Sequence, residues 1–419
     1  MEVLMEASMH KWVRKFSLTF LVLLCIACFK SELQARNPYH ATVTVGPFSA
    51  VFSESTILNL IQDLQTDSIQ REIAIYDSNS PASFNLNLRG LVGIASYAAN
   101  STTLTVQIPQ TGTSQSFTGA TREDSAKLFD EFLKNDRPFN KKFRKAYAKF
   151  TPIDPIAGNP NSLMAQMAQA DYLIGRLSPL SGCDCCWSAQ PITHQFQAGL
   201  YSGRGFSDGF DTTIVTIPLR YSYSPNRTWA LVLDAPQNYV VNGRAVSIDG
   251  SLGLGLRVPI TNNWSITPIT RGGVGISIDL STGGIFASTG VTSAIDYKIC
   301  KYVITMTNYA GYCVSTPCHA GGINFDYHLQ NFVFKNGLAL NSCEGFDFCG
   351  RPLNFNLTFI DSAFTGSSLF IDHYDEVGAF LIMTRVNPCI KYDCLSLGAT
   401  YQFGKRGYKG YSLNLTYQF

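Results

Sequence analysis

From about residue 190 to its end, the chain alternates apolar and polar residues, and glycine, asparagine, aspartate and serine interrupt the alternation at intervals. In the clearest stretch, residues 246–260, valine, isoleucine or leucine occupies nearly every second position, and polar residues or glycine lie between. A period of two residues is that of a β-strand with two unlike faces. The sequence therefore predicts a long succession of strands in this part of the chain.

About twelve such segments follow one another. Tilted strands of about 9–11 residues cross a bilayer, and single-chain bacterial barrels have even strand numbers. The predicted fold class is therefore an α+β N-terminal domain followed by a C-terminal antiparallel transmembrane β-barrel of about 12 strands. The segments lie near 194–203, 211–223, 227–234, 244–260, 263–278, 285–299, 302–314, 322–334, 352–360, 368–383, 392–404 and 408–419.

A soluble β-sandwich also has alternating strands. Here the polar faces are rich in glycine, serine, threonine and asparagine with scattered charges, and lysine is sparse in the strands. Aromatic residues lie near the segment ends, as in the interfacial girdles of membrane barrels. These features favour polar strand faces that line the water-filled lumen of a barrel over polar faces on the surface of a soluble sandwich. The candidates for lining a pore are Arg220, Asp249, Arg257, Asp326, His328 and Asp361.

The N-terminus carries Lys11, Arg14 and Lys15 before an apolar run over 16–29. This pattern indicates a cleaved secretory signal over 1–35. The alternative is a membrane anchor, but the run is shorter than the ~20 residues that span a bilayer. No later segment approaches about 18 consecutive apolar residues, so a mature chain that spans a membrane must do so as a barrel.

Residues 36–180 predict a mixed α/β domain that is either periplasmic or a plug of the lumen. Helical periodicity is found over 121–134, 140–150 and 162–172, and a hairpin is expected over 84–108. Residues 181–190 form a cysteine-rich junction, and 191–419 are assigned to the barrel.

Twelve cysteines are present, and removal of Cys25 and Cys28 with the signal leaves ten. An exported protein can keep disulfides. Local disulfides across turns are favoured over metal sites. The expected pairs are Cys313 with Cys318, Cys343 with Cys349, and Cys389 with Cys394.

The C-terminus resembles the last strand of Gram-negative outer-membrane barrels, which their assembly machinery recognises. The residues that carry this resemblance are Tyr411, Leu413, Leu415, Tyr417 and Phe419. It implies a bacterial outer-membrane location, with membrane lipid and the barrel assembly machinery as partners. Residues 154–164 are similar to a segment of uncharacterised Gram-negative outer-membrane proteins with this layout. The twelve strands behind an N-terminal unit resemble an autotransporter barrel, although a repetitive β-helical passenger is absent. The cysteine content resembles porins of chlamydia-like bacteria.

Catalytic chemistry has one compact candidate, the run of Asp372, His373 and Asp375. Strand alternation sends Asp372 and His373 to opposite faces, so we expect no catalytic residue, cofactor or metal site. A net charge of +2 excludes an extended nucleic-acid interface. The leading hypothesis is a small or partly plugged passive pore for small solutes. The alternatives are a disulfide-linked structural or adhesive surface protein and an outer-membrane hydrolase.

Overall fold

The computed structural model describes residues 37–176, 194–225, 229–320, 323–342, 346–348, 351–385 and 393–418. The predicted signal peptide and the cysteine-rich junction lie outside these residues. So do Phe419, Cys343, Cys349 and Cys389. Residues 36–419 form one compact unit.

The N-terminal domain is built on one antiparallel sheet of six strands in the order β2-β1-β3-β4-β5-β6. One face carries alternating apolar residues that are buried against helices, as strand periodicity requires. The strands are β1 (Tyr39–Val45), β2 (Phe48–Glu54), β3 (Ala82–Leu88), β4 (Leu91–Tyr97), β5 (Thr103–Ile108) and β6 (Thr113–Thr118).

Five helices accompany the described part of the chain: α1 (Ile57–Asp63), α2 (Thr66–Glu72), α3 (Arg122–Asn135), α4 (Arg137–Phe150) and α5 (Leu163–Arg176). A capping box of Thr121 and Asp124 begins α3. Asp136 caps the start of α4, where its side chain accepts a hydrogen bond from the backbone N–H of Phe139. The predicted helical stretches therefore form, with small shifts of their ends. No helix in the described residues has the length and apolarity needed to cross a membrane.

The C-terminal part is a closed antiparallel barrel of 12 strands, as predicted. It closes where β23 pairs with β7. Two of the twelve are interrupted, one between β8 and β9 at Pro218 and one between β10 and β11 at Pro236, because proline cannot donate to the ladder. The strands are β7 (His194–Ser207), β8 (Phe210–Ile217), β9 (Leu219–Tyr223), β10 (Ala230–Asp234), β11 (Gln237–Asn242), β12 (Ala245–Pro259), β13 (Trp264–Ser277), β14 (Thr282–Ile299), β15 (Tyr302–Thr316), β18 (Gln330–Ser342), β20 (Arg351–Gly366), β21 (His373–Arg385), β22 (Asp393–Gly404) and β23 (Lys409–Gln418); the short strands β16 (Cys318–Ala320), β17 (Ile323–Phe325) and β19 (Phe346–Phe348) lie in the connections.

The outer face of the barrel is apolar. On β12, Ile248, Leu252 and Leu254 are 56%, 57% and 45% exposed, while Asp249 and Arg257 on the opposite face are buried. Because a soluble protein seldom exposes a continuous apolar wall, this surface has the character of one that faces lipid. The closed sheet with an apolar exterior is the architecture of an outer-membrane barrel.

The barrel has two distinct ends. At the near end, β7 begins with His194 and β23 ends with Gln418, beside the turns 260–263 and 300–301. At the far end lie the turns 208–209, 243–244 and 278–281. The N-terminal domain packs on the far end, where Leu280 is buried in its apolar core. The chain then returns to the near end through the lumen as α5, which contacts β12, β13, β14 and β15.

Candidate functional site: the filled lumen

A buried ion pair fixes α5 to the inner wall of the barrel. Arg271 on β13 donates to the carboxylate of Asp171 on α5 at 2.6 Å, and both side chains are fully buried. The Asp171 carboxylate also accepts hydrogen bonds from Ser288 on β14 and from Tyr309 on β15. A buried charge is tolerated when it is paired and hydrogen-bonded. Helix α5 is therefore held by specific polar contacts to three neighbouring strands.

The same arginine connects α5 to a second carboxylate of the wall. Arg271 lies 2.7 Å from Asp234 on β10, and Asp234 lies 2.9 Å from Arg220 on β9. The four residues alternate in sign, so each buried charge has an opposite neighbour. Together they form the lumen network, which runs from the helix across the wall of the barrel.

Small residues on the wall make room for α5. Gly337 on β18 lies against the ring of Tyr172, and Gly255 on β12 lies against Ile174. A side chain at either position would overlap the helix, because interiors are packed without spare volume.

We expect Gly337→Val to destabilise the barrel by about 1–3 kcal/mol, since the added atoms must displace the stiff ring of Tyr172. The measurement is the temperature at which the compact band of the folded protein converts to the unfolded band in electrophoresis. Gly272→Val is the matched control, because Gly272 points outwards and has open space around its missing Cβ. Equal losses in both variants would contradict close packing of α5.

A second buried ion pair lies at the far end of the barrel. Asp154, in the segment between α4 and α5, lies 3.0 Å from Arg89 in the turn between β3 and β4, and neither side chain is exposed. Its carboxylate also accepts from the hydroxyl of Tyr327, in the loop before β18, at 2.9 Å. Backbone N–H groups of Ile156 and Ala157 complete its partners. We call Arg89, Asp154 and Tyr327 the far-end clamp, because they join the N-terminal domain, the lumen segment and a barrel loop.

The electrostatics of the clamp favour its charged form. Burial opposes the charge on Arg89, but neighbouring Tyr39 and Asp154 hold the pKa of its guanidinium above the ordinary value. Burial raises the pKa of Tyr327 well above its ordinary value, so the phenol keeps the proton that it donates to Asp154. Arg89 and Tyr39 also donate to the carbonyl oxygen of Leu280 at the barrel turn.

A cavity of about 330 Å³ remains between α5 and the opposite wall. Many of its lining residues carry amide, hydroxyl or charged groups, with Gln169 and Arg176 on the helix side. Towards the far end the space meets Asn161 and the fully buried segment around it. Wall residues of the cavity include Gln197, Thr216, Asn354, Asn356, Glu376, Gln402 and Asn414.

Three of the predicted lining residues lie on the inner face. Arg220 borders the cavity and belongs to the lumen network. Asp249 and Arg257 are buried on the inner face of β12, and Asp249 accepts a hydrogen bond from Asn238 at 2.6 Å. They lie on the polar side of the strand, as alternation predicts.

The other three lie elsewhere. Asp326 and His328 are in the loop before β18, because the strand begins at Gln330 and not at 322; His328 is exposed and has a φ of 46°. Asp361 lies on β20 in phase with the outward-facing Leu357 and Phe359, so it points away from the lumen. The prediction that these residues line a pore is wrong for His328 and Asp361, and Asp326 is not on the barrel wall.

Asp372 and His373, the adjacent acid and base of the sequence, contact different partners. Asp372 pairs with Lys405 at 2.7 Å, whereas His373 lies 2.7 Å from Asp361 on the outer face. The predicted assembly row lies on the outside of β23: Tyr411, Leu413 and Tyr417 are exposed, and Leu415 is half-buried.

The cysteines were predicted to form local disulfides. Cys313 is a buried free thiol on the inner face of β15, so its predicted bond to Cys318 is not formed in this structure. Its side chain turns into the core around α5 rather than towards the connection. Cys394 lies on the inner face of β22 beside the cavity.

Sequence reasoning missed the residues that fix α5 and the segment before it inside the barrel. Asp171 is the acidic residue within the mostly apolar α5, and Asp154 lies in a segment noted only for its resemblance to other proteins. A charge within an apolar helix signals a buried partner. The identity of that partner is set by the fold, because Arg271 is 100 residues away.

Comparisons with known proteins find barrels. No protein-family model matches the chain, and no curated protein matches it. Among solved structures, the chain is similar to the β domain of the Bordetella autotransporter Brka, with 10% identity, 54% of this chain and 99% of that chain covered, and a TM-score of 0.43. It is also similar to the translocator domain of autotransporter NalP from Neisseria meningitidis, with 12% identity, 61% and 97% covered, and a TM-score of 0.40. A third, the KdgM porin, has 7% identity, 53% and 99% covered, and a TM-score of 0.30.

Proposed function

We propose that this protein is an outer-membrane barrel that is filled by its own helix and holds its N-terminal domain at the cell surface. The observation that carries the proposal is the route of the chain. The N-terminal domain lies on the far end, α5 runs through the lumen, and the barrel begins and ends at the near end.

The orientation in the membrane follows from export. A secretory signal delivers the chain to the periplasm. The hairpin turns of the far end then cross the membrane, and both ends of the barrel sequence remain in the periplasm. The near end then faces the periplasm and the far end faces outwards. The N-terminal domain, clamped to the far end by Arg89 and Asp154, lies outside the cell. The proposal thus differs from the periplasmic or plug position that the sequence suggests for the domain.

Labelling of intact cells tests the orientation. An epitope inserted in the exposed turn Asp77–Ser80 of the N-terminal domain should bind antibody on intact cells. The same epitope in the turn 260–263 at the near end should bind only after the outer membrane is permeabilised. The reverse pattern would place the domain in the periplasm and contradict the proposal.

Of the functional hypotheses, passive conduction of small solutes has the least support from a lumen that contains α5. Helix α5 and the far-end clamp occupy the path, and the cavity beside α5 meets the buried segment around Asn161. We therefore expect little conductance from the resting protein in a planar bilayer. Steady conductance of an open pore in the intact chain would restore the passive-pore hypothesis.

An adhesive surface protein is the second candidate, and the free face of the N-terminal sheet favours it. One row across all six strands consists of serine and threonine alone, at positions 49, 44, 83, 96, 105 and 116. Neighbouring strands lie about 4.8 Å apart, so the hydroxyls form a regular ladder. Val51, Asn85 and Ile94 belong to the next row, which is also uncharged. Such a face suits a neutral, hydroxyl-rich partner such as an uncharged polysaccharide.

Replacement within the ladder tests this candidate. Ser96→Arg should abolish binding of whole cells to surfaces coated with neutral polysaccharide, because a bulky charge interrupts the row. Asn79→Arg, in an exposed turn of the same domain, is the control and should bind normally. Equal binding by both variants would remove the ladder from the proposal. Multimers that collapse on reduction in electrophoresis would instead favour a disulfide-linked structural role.

A further inference from the structure

A group of three metal-binding side chains lies on the outer wall of the barrel near its far end. His373 and Asp375 are two residues apart on β21, and Asp361 is the cross-strand partner of Asp375 on β20. Alternate residues of one strand share a face, and a cross-strand partner lies beside them. The imidazole nitrogen and the carboxylate oxygens accordingly lie within 4.8 Å of one another. All three are partly exposed.

The group contains two carboxylates and one histidine, so its negative charge is not fully compensated. Two carboxylates directly opposite each other on neighbouring strands are destabilising, and an apolar surround strengthens the repulsion. The surrounding outer face holds Phe359 and Val377, which are 44% and 39% exposed. His373 lies 2.7 Å from Asp361, so it compensates one carboxylate. Within the described residues, no hydrogen bond or ion pair to the Asp375 carboxylate is found.

Neighbouring amides orient the group. Asn336 on β18 donates to the second oxygen of Asp361 at 3.4 Å, and Asn308 on β15 donates to Asn336 at 3.2 Å. This directs the other oxygen of Asp361 towards His373. Hydrogen bonds of this kind to a carboxylate are typical of the residues that support metal ligands.

We propose that His373, Asp361 and Asp375 form a divalent transition-metal site of the Zn²⁺ class on the outer wall of the barrel. One imidazole and two carboxylates supply three ligands and leave a fourth position for water or another oxygen ligand. The imidazole favours Zn²⁺ over Ca²⁺ and Mg²⁺, which prefer oxygen ligands alone. Ligand atoms of a tetrahedral zinc lie about 3.3 Å apart, so His373 and Asp361 need only separate slightly around the ion.

Equilibrium dialysis of the folded full-length protein in detergent against Zn²⁺ tests the site. The wild type should bind one equivalent more than His373→Ala. Asp361→Asn and Asp375→Asn should each weaken that equivalent at least tenfold, and Asn336→Ala about tenfold through loss of orientation. The cysteines are the same in every variant, so zinc bound by thiols cancels from the difference. His328→Ala, an exposed histidine in a loop of the same end, is the matched control and should bind as the wild type does.

Two further readouts separate a site from a simple ion pair. Zn²⁺ should raise the unfolding temperature of the wild type more than that of His373→Ala. A hundredfold excess of Ca²⁺ or Mg²⁺ should leave the zinc bound. Equal zinc stoichiometry in wild type and His373→Ala would show that His373 and Asp361 form only an ion pair and would overturn the proposal. Displacement of zinc by Ca²⁺ at equal concentration would overturn the transition-metal class.

Discussion

Replacing Asp171 with alanine is expected to destabilise the barrel by about 3–5 kcal/mol and to raise its conductance. The variant leaves Arg271 buried with one carboxylate instead of two, and removing one partner of a buried pair carries a cost of this size. It also removes the acceptor of Ser288 and Tyr309. The helix then loses the contacts of the Asp171 carboxylate to β13, β14 and β15. Planar-bilayer recording measures the conductance, and the electrophoretic unfolding temperature measures the stability.

Two control variants test whether the buried ion pair of Asp171 and Arg271 causes these effects. Asp211→Ala removes a carboxylate from a partly exposed pair with Arg204, and such pairs contribute only about 0–1 kcal/mol. The double variant Asp171→Ala with Arg271→Ala should cost less than the sum of its single variants, because the two residues are in direct contact. An Asp171→Ala protein that is as stable and as closed as the wild type would show that packing alone holds α5.

Replacing Asp154 with alanine is expected to release the N-terminal domain from the barrel. Arg89 would be left buried without its carboxylate, at a cost of about 3–5 kcal/mol, and Tyr327 would lose its acceptor. The barrel retains its own ladders and the lumen network, so the loss should be local. Limited proteolysis should therefore cut between α4 and α5 and leave a barrel fragment that still runs as a folded band.

Asp154→Asn is the informative companion variant. Its one amide oxygen can still accept from Tyr327 and from the N–H groups of Ile156 and Ala157, but the charged oxygen that faces Arg89 is lost. We expect cleavage at a rate between those of the wild type and Asp154→Ala. Uniform unfolding of the domain and barrel together in Asp154→Ala would contradict the idea of a separable clamp.

The sequence predicts the wall of this molecule better than its interior. The two faces of β12 follow from a period of two residues, and the structure places them as predicted. The same counting from Leu357 and Phe359 places Asp361 outside, so that error was avoidable. The errors at Asp326 and His328 were not, because the break before Gln330 depends on hydrogen bonds between Ser315 and Leu329. Contacts such as Asp171 with Arg271 join distant parts of the chain, and no local spacing encodes them.

The path of α5 through a closed barrel restricts the order in which the parts of this protein can fold and assemble. Once β23 has paired with β7, the folded N-terminal domain and the lumen segment lie on one continuous chain threaded through the ring. A six-stranded sheet with its helices is wider than a lumen of 12 strands, so it cannot pass after the ring has closed. Residues 37–150 must therefore pass through the barrel to the far end while still unfolded. Otherwise, β23 and β7 must pair only after the segment that contains α5 already lies inside the unclosed barrel. The pairing of β23 with β7 is thus the step that commits the protein to its final topology.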